Sequence, residues 1–342
     1  MFSIFLILGC VLFVISKAVN NALNNPNDST FNKQESSDSQ QAEVKDPDFE
    51  PIPEDDEPEF KPLDKEPESE PIFEQPKPEP QPESQPTGKD YGKYGHLFGL
   101  IGKPLAHSTS KVRFNQFFKN QNINAYYENF EIEDIEEVKN LVADNPNLCG
   151  FNVTIPYKQD IIPYLTRLDE TAQAIGAVNT VKVLHRDGAV ELVGYNTDWT
   201  GFSKSFGKLL EGHNKALILG TGGVSKAVKY ALDKHGIENK FVSRNSTFDI
   251  MGYYELSPSI MDEYDVIVNC TPMGMWPETG QCPDIPYTFL SERHLLLDVI
   301  ANPDETLFMK KGREHGATAK GGKDMLEQQA VAAWEIWERI GE

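Results

Sequence analysis

Short apolar runs alternate with amphipathic stretches along most of the chain. Apolar runs bounded by Gly, Pro or polar residues predict buried strands, and apolar residues three or four apart predict helices. The predicted strands are residues 96–101, 125–130, 149–153, 180–184, 190–193, 215–219, 240–242, 265–269 and 295–299. The predicted helices are residues 111–120, 135–142, 156–165, 199–210, 224–234 and 323–340. Strands and helices that alternate in this way indicate the α/β class.

The helical spacing also selects core positions. In the helix over 111–120 the candidates are Val112, Phe117 and Phe118. The C-terminal helix over 323–340 presents one broad apolar face. Its members are Met325, Leu326, Val331, Trp334 and Ile336.

The first residues follow a different pattern. Residues 2–15 are apolar apart from Ser3, and Lys17 follows them. A membrane span needs roughly 20 apolar residues, a length that the run approaches if it extends to Val19. We interpret residues 1–19 as an uncleaved membrane anchor. A cleaved signal segment and a misassigned start codon are the alternatives that stay open.

Residues 20–93 form an acidic, proline-rich spacer. Between positions 26 and 89 there are 19 acidic residues, 6 lysines and 13 of the 23 prolines of the chain. Such a segment cannot bury enough apolar surface to fold, so we expect it to be disordered. A binding tail for a basic partner is the alternative. Much of the net charge of −21 comes from this spacer, and the absence of a basic patch elsewhere argues against nucleic acid as a partner.

The cysteines are few and widely spaced. Cys10, Cys149, Cys270 and Cys282 show no CxxC spacing, so we expect neither a disulfide framework nor a structural metal. A reducing compartment is the better expectation, and with it a cytoplasmic location for the folded part.

A glycine-rich turn follows the apolar run 216–219. Its sequence over 220–225 is GTGGVS, and the predicted helix begins within it. Free N–H groups at the start of a helix can hold a pyrophosphate, so strand, turn and helix together predict a dinucleotide site. A glycine turn alone is a weak indication, since such loops are common.

The next strand favours one cofactor. An NAD site usually carries an acid roughly 20 residues after the glycines. Here the strand ends in Ser243, Arg244 and Asn245, with no acid, and the arginine can pair with a 2′-phosphate. We therefore predict NADP. The alternative is a surface arginine beside a purely structural turn.

Two ionisable residues end neutral segments some forty positions apart. Lys158 closes GFNVTIPYK and Asp198 closes GYNTD. A lysine and a carboxylate in one cleft make a proton-transfer pair, although each could also be an ordinary residue at a helix start. Neutral hydrogen-bonding residues accompany them, as expected around a polyhydroxylated substrate. These are Asn152, Thr154, Asn179, Thr180, Asn196 and Thr197.

Two hydroxyls stand near the predicted start of the helix 111–120. Ser108 and Ser110 could both donate to a substrate carboxylate, with help from the helix dipole. Ordinary helix capping is the alternative, and the spacing alone favours it.

Residues 94–341 resemble the shikimate dehydrogenase family in the order and spacing of their motifs. The motifs are 102–110 (GKPLAHSTS), 152–158 (NVTIPYK), 176–180 (GAVNT), 196–198 (NTD), 220–225 (GTGGVS), 243–245 (SRN), 269–275 (NCTPMGM) and 322–330 (GKDMLEQQA). The resemblance implies two α/β domains, namely a substrate-binding domain and a Rossmann-like NADP-binding domain. We expect the first over 94–195 and the second over 196–302, with 303–342 returning to the first through the helix 323–340.

The resemblance also implies roles for individual residues. Lys158 and Asp198 would be the catalytic pair. The substrate would be bound by Ser108, Ser110, Asn152, Thr154, Asn179 and Gln329. The cofactor would be bound by Gly220, Gly222, Gly223, Val224, Ser225, Ser243, Arg244, Asn245, Thr271, Met273 and Gly322.

Some positions depart from the family pattern. Ala301 stands where a tyrosine usually lines the substrate site, which puts substrate positioning or selectivity in doubt. Lys111 and Phe114 replace a usual proline and histidine, Ser243 a usual asparagine, and Lys323 a usual apolar residue.

The function that the resemblance implies is NADPH-dependent reduction of 3-dehydroshikimate to shikimate, a step toward chorismate and the aromatic amino acids. One alternative is a quinate/shikimate-type dehydrogenase with altered substrate range, prompted by Ala301. Another, from a different class, is a membrane-tethered ligand-binding homologue without activity. The lysine, the aspartate and the glycine turn are all retained, which argues against the second alternative.

Overall fold

The computed structural model describes residues 90–186 and 188–338. Their strands form two six-stranded sheets. The first sheet contains β1 (His96–Gly102), β2 (Ala125–Glu131), β3 (Leu148–Val153), β4 (Arg167–Leu168), β5 (Thr180–Arg186) and β6 (Ala189–Tyr195). Its order is β2-β1-β3-β5-β6-β4, in which β5 runs antiparallel to both neighbours.

The second sheet is parallel throughout. It contains β7 (Lys215–Leu219), β8 (Glu238–Ser243), β9 (Ile250–Gly252), β10 (Val266–Asn269), β11 (Leu295–Asp298) and β12 (Thr318–Lys320). Its order is β12-β11-β10-β7-β8-β9. Counted from β7, this is the 3-2-1-4-5-6 order of the Rossmann fold, whose ligands bind beyond the carboxyl ends of the strands where the order reverses. That point lies between β7 and β10.

Helices connect and cover the strands. They are α1 (Ser110–Gln121), α2 (Val138–Asp144), α3 (Glu170–Ile175), α4 (Asp198–Phe206), α5 (Gly223–Lys234), α6 (Pro258–Glu263), α7 (Leu307–Glu314) and α8 (Lys323–Glu338). Short 3₁₀ turns lie at Ile135–Glu137, Ile162–Tyr164, Gly207–Leu210, Tyr253–Glu255 and Tyr287–Phe289. The two-domain α/β fold class predicted from the sequence is confirmed.

Helix α8 packs against both sheets. Near its start Met325 joins the core of the second sheet, and near its end Trp337 joins the aromatic core of the first. The indole Nε1 of Trp337 donates to the carbonyl of Val181 at 2.9 Å. Gly201 of α4 lets α8 approach closely, because a Cβ there would lie 2.8 Å from the Met325 carbonyl. The last described helix therefore ties the two halves together.

The helix predicted over 156–165 is wrong. The structure has turns there, with a 3₁₀ turn at Ile162–Tyr164, and the next α-helix is α3. Pro163 lies inside the predicted helix, where its missing N–H and its ring oppose helical continuation.

The phase predicted for α1 is also partly wrong. Val112 is 72 % exposed, whereas Phe114 and Phe118 are buried. These two residues are four apart and contact each other; Phe114 also packs on the ring of Tyr127 and the indole of Trp337, and Phe118 on the indole of Trp334. In α8 Trp337 is likewise a core residue that the predicted apolar face omits.

The return to the first domain over residues 303–342 stays a prediction, and within this range residues 307–320 contact the second sheet. Helix α7 packs on the second sheet, and β12 extends that sheet by pairing with β11. Helix α8 contacts β3 and β5 of the first sheet. Short connections between neighbouring parallel strands explain why residues 303–320 stay with the second sheet.

Tyr91 packs against the first sheet although its sequence context places it in the spacer. Its ring stacks on Tyr126, its hydroxyl donates to Glu128 Oε2 at 3.1 Å, and its carbonyl accepts from Asn147. The anchor predicted over 1–19 and the spacer up to residue 89 lie outside the described residues. Among residues 90–186 and 188–338, no helix has the length and apolar character to cross a membrane.

Candidate active site

Lys158 and Asp198 form an ion pair although they are forty positions apart. The Nζ of Lys158 donates to Asp198 Oδ2 at 2.7 Å, and the two side chains are 14 % and 2 % exposed. Asp198 is the first residue of α4, where the helix dipole favours a negative charge. A partly exposed ammonium group is thus held by a buried carboxylate, which is an arrangement that can deliver a proton.

Asn179 organises the carboxylate from the other side. Its Nδ2 donates to Asp198 Oδ1 at 3.0 Å and to Thr197 Oγ1 at 3.0 Å. Its Oδ1 accepts from the backbone N–H of Thr197 at 2.7 Å and from the hydroxyl of Thr180 at 3.1 Å. Gln329 of α8 reaches the same amide, with Oε1 3.4 Å from Asn179 Nδ2. Both oxygens of Asp198 are therefore bonded, and its orientation is fixed.

Asn196 holds the start of α4. Its Oδ1 accepts from the backbone N–H of Asp198 at 3.0 Å, and its Nδ2 donates to the carbonyl of Ala177 at 2.9 Å. These bonds satisfy N–H groups at a helix start that have no partner within the helix. Asn196 therefore supports the catalytic candidate without facing it.

Asn152 continues the network along β3. Its Nδ2 donates to the carbonyl of Asn179 at 3.2 Å and to Thr180 Oγ1 at 3.0 Å, and its Oδ1 accepts from the hydroxyl of Tyr127 at 2.9 Å. Both amide hydrogens are used within the protein. Only the remaining acceptor capacity of Oδ1 is left for a substrate hydroxyl.

Tyr127 is a residue that sequence reasoning missed. It is fully buried on β2, and burial raises the pKa of its phenol well above the usual value, so it stays protonated as a donor. Its hydroxyl also interacts with the side chain of Ser110. From the sequence, a tyrosine in a predicted buried strand is interpreted as a core residue. The pairing of β1 with both β2 and β3 is what brings Tyr127 to the site.

The remaining predicted substrate ligands lie on neighbouring loops. Ser108 precedes α1, and its Oγ accepts from the backbone N–H of Ser110 at 3.3 Å, so it acts in a local turn. Thr154 donates its backbone N–H to Ile101 at 2.9 Å, and its methyl group occupies the space in which a Cβ on Gly102 would stand. Through Tyr127 and Asn152, Ser110 is connected to the pair of Lys158 and Asp198.

The glycine turn lies at the start of α5, beyond the carboxyl end of β7. Gly220 has φ 101°, which favours glycine, and a Cβ there would lie 3.3 Å from Thr271 Cγ2. A Cβ on Gly222 would meet nothing within 4 Å, whereas one on Gly223 would lie 2.9 Å from Lys158 Cβ. Open space therefore lies in front of the helix start, next to the catalytic candidate.

The N–H groups of the first turn of α5 are the donors available to an anion. Those of Gly223, Val224 and Ser225 belong to this turn. The hydroxyl of Ser225 is directed elsewhere, because it donates to the carbonyl of Gly222 at 2.6 Å. The backbone of Ser225, rather than its side chain, is thus the group that can face a phosphate.

The loop after β10 is held by a buried polar network. Asn269 Oδ1 accepts from both the N–H and the hydroxyl of Thr271, at 3.0 and 2.7 Å, and its Nδ2 lies 3.4 Å from the carbonyl of Met273. The same Nδ2 donates to Asp298, whose Oδ2 also accepts from Thr306 at 2.6 Å. Thr271 and Met273 therefore have fixed places beside the glycine turn.

Asp298 is fully buried and accepts hydrogen bonds from the neutral groups of Asn269, Ile300 and Thr306. Burial raises its pKa to about 6, against the hydrogen bonds from Thr306, Ile300 and Asn269, which lower it. This carboxyl group is not among the site residues predicted from the sequence. An Asp that ends an apolar strand could have drawn attention, but its partners come from the end of β10 and from the connection between β11 and α7.

The segment after β8 is exposed. Arg244 and Asn245 are exposed, and the backbone N–H of Asn245 donates to Ser243 Oγ at 3.3 Å in a local turn. Arg244 lies close enough to Tyr253 to lower the pKa of its phenol, although burial, the larger effect, raises that pKa to about 12. The guanidinium group is thus available to an anionic ligand at this edge of the sheet.

Gly322 has a packing reason to be glycine. A Cβ there would collide with the carbonyl of Val299, and its N–H donates to the carbonyl of Ile300 at 2.9 Å. Ala301, the residue after Ile300, is partly exposed. Its neighbour Asn302 accepts from the N–H of Trp276 at 3.1 Å. Gly322 therefore holds the end of β11 in place beside α8.

Among the described residues no group of His, Cys, Asp and Glu has the arrangement of a metal site. The His213 imidazole does lie 2.7 Å from Asp265, but that pair stands on the far end of β7 and β10 from the glycine turn.

Comparison with known proteins identifies the family. Residues 100–181 match the shikimate dehydrogenase substrate-binding domain. Over 264 residues the chain is 37 % identical to the shikimate dehydrogenase (NADP(+)) of Methanococcus vannielii, which covers 70 % of this chain and 90 % of the relative. The chain therefore belongs to the shikimate dehydrogenase family.

Solved structures agree with this assignment. A shikimate dehydrogenase in complex with NADP+ aligns with a TM-score of 0.62 at 32 % identity, over 72 % of this chain and 90 % of that one. A quinate dehydrogenase from Corynebacterium glutamicum in complex with NAD aligns with a TM-score of 0.62 at 26 % identity, over 71 % and 93 %. The resemblance stated from the sequence is confirmed at the level of family and fold.

Proposed function

We propose that this chain catalyses the NADPH-dependent reduction of 3-dehydroshikimate to shikimate. The observation that carries the proposal is the ion pair of Lys158 and Asp198 beside the glycine turn of a Rossmann sheet. This places a proton donor next to a dinucleotide site. Relatives named shikimate dehydrogenase (NADP(+)) support the choice of substrate and cofactor.

The residues present fit a dinucleotide with a 2′-phosphate. Open space lies at Gly222, in front of the first turn of α5, where backbone N–H groups can bind a pyrophosphate. Arg244 stands exposed after β8 and can hold the 2′-phosphate, with Ser243 and Asn245 beside it. Thr271 and Met273 would border the nicotinamide. NADPH supplies the hydride when it is bound.

The proton comes from the protein. Lys158 holds it on Nζ and can pass it to the carbonyl oxygen as negative charge develops there. Asp198 keeps that ammonium group in place, and Asn179 keeps Asp198 in place. After the transfer the substrate ketone has gained a hydride and a proton, and Lys158 is left neutral beside the carboxylate until solvent reprotonates it.

The substrate would be held by neutral groups around this pair. We assign its carboxylate to the hydroxyls of Ser108 and Ser110, and its hydroxyl groups to Thr154, Asn179, Gln329 and the free acceptor capacity of Asn152. The network of buried hydrogen bonds supports this, because it fixes each of these amides before a substrate arrives.

Substrate binding and cofactor binding can be assigned to the two sheets. We propose residues 94–195 together with α8 as the substrate-binding part, and residues 196–320 as the cofactor-binding part. The core of α4 supports this, since Phe202 and Phe206 pack with the strands of the second sheet.

The test is an assay of NADPH consumption with 3-dehydroshikimate and, in parallel, with 3-dehydroquinate. We expect turnover with the first and much lower kcat/KM with the second. Ligand binding without turnover, measured by calorimetry, would contradict the proposal and favour a binding protein.

Quinate/shikimate-type activity is the second candidate. Ala301 favours it, because the family pattern has a substrate-site tyrosine there, and a quinate dehydrogenase shares the fold. Comparable kcat/KM for the two ketones in the parallel assay would support this candidate over the first.

We also propose that residues 2–19 tether the enzyme to the inner face of the membrane. The support is the composition of that segment alone. Fractionation tests it: the full chain should sediment with membranes, and residues 90–342 should not. Full-length protein found wholly in the soluble fraction would contradict the tether and leave the proposed reaction untouched.

A further inference from the structure

The first turn of α5 contacts the segment that carries Lys158. A Cβ on Gly223 would lie 2.9 Å from Lys158 Cβ, 3.3 Å from Lys158 Cδ and 3.6 Å from Ala177 Cβ. The backbone of Gly223 thus packs on the aliphatic stem of the lysine. A Cβ on the adjacent Gly222 would meet nothing within 4 Å. Two consecutive glycines therefore meet different needs, one facing open space and one facing Lys158.

A second contact lies one turn further along the same helix. The Nζ of Lys226 donates to Gln159 Oε1 at 2.5 Å. Residues three apart share a helix face, so Gly223 and Lys226 lie one above the other. Gln159 directly follows Lys158. One face of α5 therefore holds two consecutive residues of the catalytic segment.

The opposite side of the lysine is held as well. The carbonyl of Lys158 accepts from the N–H of Val178 at 2.7 Å. The residue before Val178, Ala177, is buried with Ile175 and with Ala227 of α5. The lysine backbone, its stem and the cofactor-side helix thus pack as one unit, and only the ammonium end is directed to Asp198.

We propose that Gly223 and Lys226 are positioning residues for Lys158, an inference that rests on the proposed reduction. Gly223 supplies the space that the lysine stem occupies, and Lys226 fixes the segment through Gln159. Neither touches the reacting atoms. Because the N-terminus of the same helix faces the dinucleotide site, α5 sets the register between the hydride donor and the proton donor, on which reaction geometry depends.

The first variant is Gly223→Ala. The added methyl group should displace Lys158 and lower kcat by about 10²-fold, the usual cost of misplacing a reacting group by about 1 Å. Affinity for NADPH, measured by fluorescence titration, should change much less. Gly280→Ala is the matched control, since a Cβ there meets nothing within 4 Å and the residue lies outside α5 and the segment that carries Lys158.

The second variant tests the hydrogen bond between Lys226 and Gln159 and does not change the packing around Gly223. Lys226→Met should lower kcat on the order of tenfold, the equivalent of one hydrogen bond to a charged group. Lys226→Arg keeps a donor and should restore most of the activity. Lys229→Met is the control, because Lys229 lies one turn further from Lys158 and pairs with Asp233 on the same helix at 2.8 Å.

A readout independent of activity separates this inference from the proposed function. Acetic anhydride modifies free amines, and mass spectrometry can follow the labelling of Lys158 itself. Gly223→Ala and Lys226→Met should both raise the labelling rate of Lys158 over that of the wild type. A wild type without turnover would contradict the proposed function, and the labelling result would still stand.

Unchanged labelling in both variants would overturn the inference. Equal losses of NADPH affinity and kcat in Gly223→Ala, with labelling as in the wild type, would also overturn it and assign Gly223 to pyrophosphate binding. Loss of kcat with faster labelling and nearly unchanged NADPH affinity would support positioning.

Discussion

On the substrate side of the site polar side chains bond chiefly to one another, whereas on the nucleotide side glycines leave open space before a helix start. Asn179 engages Thr197, Thr180 and Asp198 at once. A Cβ on Gly222 would meet nothing within 4 Å. The hydrogen bonds of the substrate side are already formed without a ligand. The nucleotide side is an open space that the cofactor would fill. Damage to the first should therefore cost stability as well as activity, and damage to the second should cost affinity.

The largest effect should come from the proposed catalytic pair, Lys158 and Asp198. Lys158→Ala and Asp198→Ala should each lower kcat by on the order of 10²–10⁴, the usual contribution of general acid–base catalysis. The double variant should lose far less than the product of the two single losses, because the residues act as one unit. Steady-state kinetics measure this, with the exposed Lys204→Ala as control. Near-wild-type kcat in either single variant would remove these roles.

Asn179→Leu tests whether the substrate side is bonded in advance. The change leaves Asp198 Oδ1 and the N–H of Thr197 without their partner in a buried site. Each unsatisfied buried group costs about 1–3 kcal/mol, so the loss of two partners should lower the free energy of unfolding by about 2–6 kcal/mol. Urea unfolding without ligand measures it, with the exposed Asn214→Leu as control. Stability equal to that of the control would show that the network forms only with substrate.

The nucleotide side also contains a buried hydrogen-bond network, in which Asp298 accepts from Asn269 and Thr306. An unfolded aspartate has a pKa of roughly 3.9, and burial raises that of Asp298 to about 6. Because the folded value is higher, the contribution of this group to stability is full at low pH and is lost as pH rises through about 6.

Asp298→Asn removes that titration. Between about pH 4 and pH 7 the wild type should lose up to about 3 kcal/mol of stability relative to the variant, as a shift of about two pKa units requires. The variant keeps one oxygen as an acceptor but loses the other, so either Thr306 or Ile300 loses its acceptor, a penalty that is independent of pH. Urea unfolding across this range tests it. Parallel stability profiles for the two proteins would contradict the raised pKa.

Arg244→Ala should affect ligand affinity alone. The loss of a hydrogen-bonded charge facing the 2′-phosphate should raise KM for NADPH by about 10–10²-fold, whereas KM for NADH should stay the same. Stability should not change, since the side chain is exposed. Arg293→Ala, which removes a surface pair with Asp262, is the control. An equal effect on both cofactors would make Arg244 structural and the cofactor prediction wrong.

The same contrast explains which parts of the fold and of the site could be predicted from the sequence. Strands such as β7 and β10 are continuous apolar runs in sequence, and the glycine turn is a local pattern, so both could be predicted. Tyr127 could not, because its role depends on β1 lying between β2 and β3. Val112 was chosen as core because helical spacing alone does not fix which stripe faces inward; the position of Trp337 decides for Phe114.

Gly223 is a similar case. The turn that contains Gly222 and Gly223 is typical of a phosphate-binding site. The local sequence does not show that the two glycines have different roles. The distinction appears only when Lys158, 65 positions earlier, is placed against the helix. Contacts between the two sheets are thus the part of the site that local patterns could not predict.

The smallest expected effect belongs to Ala301, which follows β11 on the nucleotide-side sheet but stands where the family pattern places a substrate-binding tyrosine. Ala301→Tyr should lower KM for 3-dehydroshikimate about fivefold, the value of one net hydrogen bond. Ala301→Phe adds the ring without the hydroxyl and separates the hydrogen bond from simple filling of space. If both variants improve KM equally, packing is responsible. If both raise KM, neighbours such as Ile300 already fill the position, and the substrate side of this enzyme is complete without a phenol.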